Sequence, residues 1–178
     1  MNTKKGPVPS ASTGPVPLIF TGFTLVELLV AMAIIGVLAT LAFVYLGGAT
    51  AKARDAKRTN DLNQIGRFFG FGCLMPAAGP GEYDLNELIE EYKAKYPQYA
   101  SSLPKNIRDP KTGTDTESNY KYIVTAFNKC VLYANLEDGR AKVSLPDITE
   151  AAPGAGKGIY QADEAGWNNS DKYFQVSN

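Results

Sequence analysis

Two sets of residues in this sequence carry side chains that could do chemistry: one carboxylate inside an apolar run, and a pair of cysteines. The run is GFTLVELLVAMAIIGVLATLAFVYL, residues 22–46, and Glu27 is its one charged residue. A charge in the middle of a membrane helix costs on the order of 2.5–3.5 kcal/mol, whereas near an end the side chain reaches the headgroups. Glu27 stands near the start, where two roles are open. Thr24 and Glu27 have the spacing of a capping box, in which the threonine caps the first turn and the glutamate reaches back to its amide. Alternatively, Glu27 needs a positive partner, and a cut between Gly22 and Phe23 would create one as a new α-amino group, on the same chain or a neighbouring copy. An amine and carboxylate neutralising each other in an apolar setting would fix register, because sliding either helix leaves a bare charge.

Cys73 and Cys130 lie far apart, with no CxxC spacing and no histidine anywhere in the chain, so a zinc site is not expected. A disulfide or two buried thiols remain, and export would favour the disulfide. Without histidine the usual neutral-pH base and the Ser-His and Cys-His nucleophile pairs are missing, so no catalytic or metal-ligating set is expected. Gly154-Ala155-Gly156-Lys157-Gly158 lacks the Ser or Thr of a phosphate loop and reads as a flexible loop. Glu90-Glu91 reads as a wet helix face beside Lys93 and Lys95, and Asn168-Asn169-Ser170 is a formal glycosylation sequon. With 18 basic and 18 acidic residues the chain has no net field to steer nucleic acid or anionic lipid.

The elements that must hold these groups follow from pattern. Phe23 to Leu46 is long enough, at about 1.5 Å per residue, to cross a ~30 Å hydrocarbon layer as a helix. The polar segment after Gly47-Gly48 continues it, with Leu62, Ile65 and Phe69 as a stripe that would dock on a sheet. Lys52, Arg54, Lys57 and Arg58 are interleaved with Asp55 and Asp61. They read as a solvated or subunit-facing surface, and nucleic-acid binding there is not expected. Residues 70–82 are a breaker-rich loop. A short helix follows Asp84, with Leu85, Leu88, Ile89, Tyr92 and Tyr96 on one face, ending before Pro97. Residues 101–119 read as loop. Tyr120–Phe127 and Cys130–Leu136 read as a hairpin about Asn128-Lys129, Asp138-Gly139 turns toward a third strand at Ala141-Lys142-Val143, and KYFQV offers a last strand. The fold class is α+β: a long N-terminal helix, its first half membrane-spanning, on a small antiparallel sheet. A Cys73–Cys130 bridge would tie the helix end to that sheet. The 178 residues have room for one such domain besides the membrane segment.

Gly22-Phe23-Thr24-Leu25-Val26-Glu27 and the apolar run after it closely resemble the class III signal of type IV prepilins and of the pseudopilins of type II secretion. The resemblance implies a leader at 1–22, a membrane and filament-core helix at 23–46, its continuation at 47–70 and a globular domain at 71–178. It implies that a prepilin peptidase cuts after Gly22 and methylates Phe23, and that Glu27 neutralises the N-terminus of an adjacent subunit. The partners implied are further copies of the chain in a helical filament, the peptidase, and the assembly machinery of a pilus or of secretion. The chain would wait in the inner membrane and end in an extracellular filament or a periplasmic pseudopilus. Gly36 and Gly47-Gly48 are the points where the helix could loosen in such a filament. Asp109-Pro110-Lys111-Thr112-Gly113 leading to Asn119-Tyr120 also looks like the Asp-Pro-x-Gly-x-x-Tyr stretch of major pseudopilins. Some of those bind calcium, and Asp109, Asp115, Glu117, Asp163 and Asp171 could supply oxygens, yet without EF-hand spacing no cofactor is expected. Competing accounts are an ordinary secretory signal cut after Ala31-Met32-Ala33, a membrane-anchored minor pilin that takes up DNA, and a tethered enzyme. The positive-inside count over Lys4, Lys5 and the basic residues after Leu46 would place the domain in the cytoplasm. The resemblance places it outside, and is the more specific signal.

Overall fold

The computed structural model describes residues 6, 22–69, 72–103, 105 and 107–178. The expected leader, apart from Gly6 and Gly22, lies outside the described residues. The chain divides into two compact units, Met1–Leu41 and Ala42–Asn178.

In the first unit the helix α1 (Leu25–Phe68) begins. Its large apolar side chains from Leu25 to Leu41 are all exposed, and the helix is long and apolar enough to cross a membrane.

In the second unit the rest of α1 becomes amphipathic and packs on a sheet. Leu62 and Ile65 are buried, as their spacing predicts, and Phe69 packs against the same core. Gly66 lets the helix approach the sheet closely, since a Cβ there would stand 3.0 Å from Val176 Cγ1. The sheet has five antiparallel strands: β1 (Gly81–Asp84), β2 (Lys121–Val124), β3 (Cys130–Asn135), β4 (Gly158–Gln161) and β5 (Lys172–Ser177), in the order β1-β2-β3-β5-β4. Tyr122, Val124, Leu132, Phe174 and Val176 form its inner face with Leu62 and Ile65. Between β1 and β2 the helix α2 (Leu85–Lys95) buries Leu85, Leu88 and Ile89, and Asp84 caps it by accepting the Asn86 N–H at 3.0 Å.

Three sequence expectations are corrected. Glu82 belongs to β1 and not to a loop: after the turn at Gly79, with φ +92°, the chain is caught by the free edge of β2, Glu82 opposite Ile123. Ala141–Val143 forms no strand, because β5 occupies the edge of β3 it would need, Val131 pairing with Ser177 and Asn135 with Tyr173. The turn at Asp138 does form, the Ala141 N–H donating to Asp138 O at 2.9 Å, but it carries the chain past β3 to β4, where the Ser144 N–H donates to Ile159 O at 2.8 Å. The glycine segment 154–158 is pinned rather than loose: the Gly154 N–H donates to Ser177 Oγ at 2.7 Å, Gln175 Nε2 donates to Gly156 O at 3.1 Å, and Gly158 lies in β4.

Candidate functional site

Gly22 and Phe23 precede α1 and are exposed, Phe23 to 88 %. Thr24 caps the helix. The Leu28 N–H donates to Thr24 O at 3.2 Å and the Glu27 N–H to Thr24 Oγ1 at 3.2 Å. In return Glu27 Oε2 accepts the Thr24 N–H at 3.1 Å and the Thr24 hydroxyl at 3.0 Å. This is a reciprocal capping box. It gives one carboxylate oxygen two donors within its own chain while residue 23 is joined to Gly22 by an uncharged amide. α1 runs unbroken through Gly36, Gly47 and Gly48. A Cβ at Gly36 or Gly48 would meet nothing within 4 Å, so packing in this chain does not demand glycine at either position.

In the second unit Cys73 and Cys130 form a disulfide, with Cα atoms 5.6 Å apart. It joins the loop after α1 to the first residue of β3, as the helix-end-to-sheet tie requires.

The densest polar cluster lies between α1, the 109–120 loop and the end of β3. Arg58 is fully buried. Its Nε and Nη2 donate to Asp109 Oδ2 and Oδ1 at 2.7 and 2.8 Å, a bidentate pair, and Nη1 reaches Asp55 Oδ1 at 2.7 Å and Glu137 Oε1 at 2.8 Å. Arg54 grips Glu137 through Nε and Nη2 at 2.7 and 2.6 Å. Asp55 also accepts the N–H groups of Glu137 and Asp138, each at 2.9 Å. Asp109 folds its own turn by accepting the N–H groups of Lys111 and Thr112, and it accepts Asn168 Nδ2 at 2.9 Å. Burial alone would raise the Asp109 carboxyl, but the Arg58 guanidinium and these backbone and amide donors hold it well below the usual carboxylate range. The Arg54 hydrogen bonds, outweighing burial and joined by Arg58, lower Glu137 to about 2. Below Arg58, the Tyr120 hydroxyl donates to Asp61 Oδ2 at 3.0 Å, and burial followed by the Asp61 charge pushes that phenol upward.

Arg54 and Arg58 therefore correct the reading of a solvated or subunit-facing helix surface. A signal was present in the sequence. Arg58, Leu62 and Ile65 are spaced i, i+4, i+7, so Arg58 continues the docking stripe by one turn, and Asp55 at i−3 shares that face. The chemistry of the cluster is mutual neutralisation: both oxygens of Asp109 already have donors. Asn168 is 97 % buried and spends both amide hydrogens on Asp109 and Asn135 O, so the formal sequon is no exposed acceptor.

The five acidic residues weighed for calcium are scattered. Asp109 is held by Arg58, Asp115 pairs with Arg108, Glu117 lies 3.3 Å from Lys121, Asp171 pairs with Lys172 at 3.1 Å, and Asp163 is exposed. Among the described residues no three His, Cys, Asp or Glu side chains gather into a group that could hold a metal ion.

Residues 20–43 match the model of the prokaryotic N-terminal methylation motif, the class III signal of type IV pilins and pseudopilins. The matched stretch spans the Gly22-Phe23 bond, the Thr24–Glu27 box and most of the exposed apolar part of α1. No curated protein and no solved structure matches the chain.

Proposed function

We propose that this chain is a type IV pilin-like structural subunit, stored in the membrane through residues 23–46 and polymerised into an extracellular filament after its leader is removed. The observation that carries the reading is the methylation motif on an exposed apolar helix whose continuation packs on an antiparallel sheet. A cut after Gly22 turns the Phe23 nitrogen from an amide into an ammonium. Glu27 then has a reason to leave its Thr24 box for an amine of its own or an adjacent subunit, which neutralises both charges in an apolar setting. Assembly exchanges lipid contacts for helix–helix contacts, with the amine–carboxylate pair setting register and with Gly36, Gly47 and Gly48 as the points where the helix loosens.

The second reading is a type II secretion pseudopilin. It is favoured by the Asp109–Gly113 turn and the buried Tyr120, which occupy the stretch that looks like the Asp-Pro-x-Gly-x-x-Tyr of major pseudopilins. In both readings the partners are the prepilin peptidase, the assembly machinery and further copies of the chain, and the protein is not an enzyme.

The deciding measurement is the N-terminal residue and mass of the protein recovered from native membranes. An N-terminus at Phe23, with or without a methyl group, is expected. A retained Met1, or a start beyond residue 33, overturns the proposal. A deletion strain then separates the machines: loss of surface filaments indicates a pilus, and loss of secreted enzymes with filaments intact indicates a pseudopilus.

A further inference from the structure

On the sheet face away from α1 the alternating positions of β3, β5 and β4 present Tyr133, Tyr173 and Tyr160, and the loop after β4 adds Trp167. Tyr160 and Tyr173 are register partners stacked at 5.3 Å with planes 12° apart, and Trp167 stands edge-on to Tyr173 at 5.6 Å. Tyr133 lies 6.1 Å from Tyr173 and 6.3 Å from Trp167. These four rings line a pocket of about 240 Å³, with Glu82 of β1 and Glu150 of the loop before β4 also in its wall. Both glutamates are exposed, and neither makes an ion pair among the described residues.

We propose that this pocket binds the quaternary ammonium group of a small molecule. Aromatic faces attract a cation through the ring quadrupole, and a methylated ammonium, which offers no hydrogen-bond donor, suits a wall of rings better than a primary amine does. Glu82 and Glu150 add attraction that the chain itself leaves without a cation. Burial first, then the charge of Glu82, pushes the Tyr133 hydroxyl upward, and burial, the neighbouring tyrosines and both glutamates do so for Tyr160. The packing core of the domain, on the other sheet face, does not require carboxylates at this rim.

The one tryptophan of the chain sits in the pocket and serves as its reporter. The full-length protein in a non-ionic detergent would be titrated with choline and, separately, with its neutral tert-butyl analogue and a neutral hexose. Choline is expected to change Trp167 fluorescence saturably. Half-saturation should rise about tenfold or more for the analogue and for the E82Q/E150Q double variant, from the loss of the cation–π and carboxylate attraction. Both substitutions are at exposed positions, and an unchanged melting curve shows that the variant is folded. An equal response to the neutral analogue, no saturable response to choline, or a response to hexose alone overturns the proposal.

Discussion

Arg58 supplies one guanidinium to three carboxylates, and removing it would leave Asp55, Asp109 and part of Glu137 as uncompensated charge inside the domain. Breaking a buried pair from one side costs about 3–5 kcal/mol, so R58A is expected to lower unfolding stability by that order in urea titrations. R58K should recover only part, because an ammonium cannot make the bidentate contact with Asp109. The cluster also sets an acid limit. Asp109 and Glu137 have folded-state values below their unfolded ones, so their stabilisation is fully present above the unfolded values and is lost as pH falls through the folded ones. For Glu137 the window runs from about 4.5 down to about 2. E137Q should flatten the fall in stability across that range when unfolding is measured at successive pH values. These roles were half legible in sequence. The spacing of Asp55, Arg58 and Leu62 shows a shared helix face, but Asp109 and Glu137 arrive from distant segments, and no local pattern names a partner across 51 or more positions.

Among the elements, the Asp109 turn is packed without spare room, and the loop after α1 is covalently braced to the sheet. Gly113 has no room for a side chain, since a Cβ would fall 2.7 Å from the Asp109 N and O atoms. G113A is therefore expected to lose about 1–3 kcal/mol, as overpacking does, and to disturb the turn that aims Asp109 at Arg58. The Cys73–Cys130 bridge closes a loop of 57 positions. C73S/C130S should lower stability by about 2–4 kcal/mol in urea titrations compared with the oxidised parent. The helices and the β2–β3 hairpin followed from apolar spacing, caps and turn residues, all local signals. β1 and the place of β5 did not. A short strand takes its state from the neighbour that accepts its hydrogen bonds, and Ala141–Val143 lost that neighbour to β5.

For the whole molecule, the proposed filament rests on one charge pair, so E27A should be cut normally and fold normally yet fail to enter filaments in register. Electron microscopy of surface preparations and the mass of the membrane-bound protein check both halves, and normal filaments from E27A would remove the register role. The membrane-length helix and the methylation motif with its carboxylate are legible along the chain alone, because a bilayer reads hydrophobicity along the chain and the motif is contiguous. So are the two candidate bridging cysteines and the amphipathic continuation. It took the packed fold to show that Arg58 of α1 faces inward, that the cysteines are bonded, that Asn168 of the sequon is buried, and that four aromatic rings meet beside two carboxylates. Each of those facts depends on which distant segments share a volume, and packing sets that through the sum of many contacts that no single stretch of sequence contains.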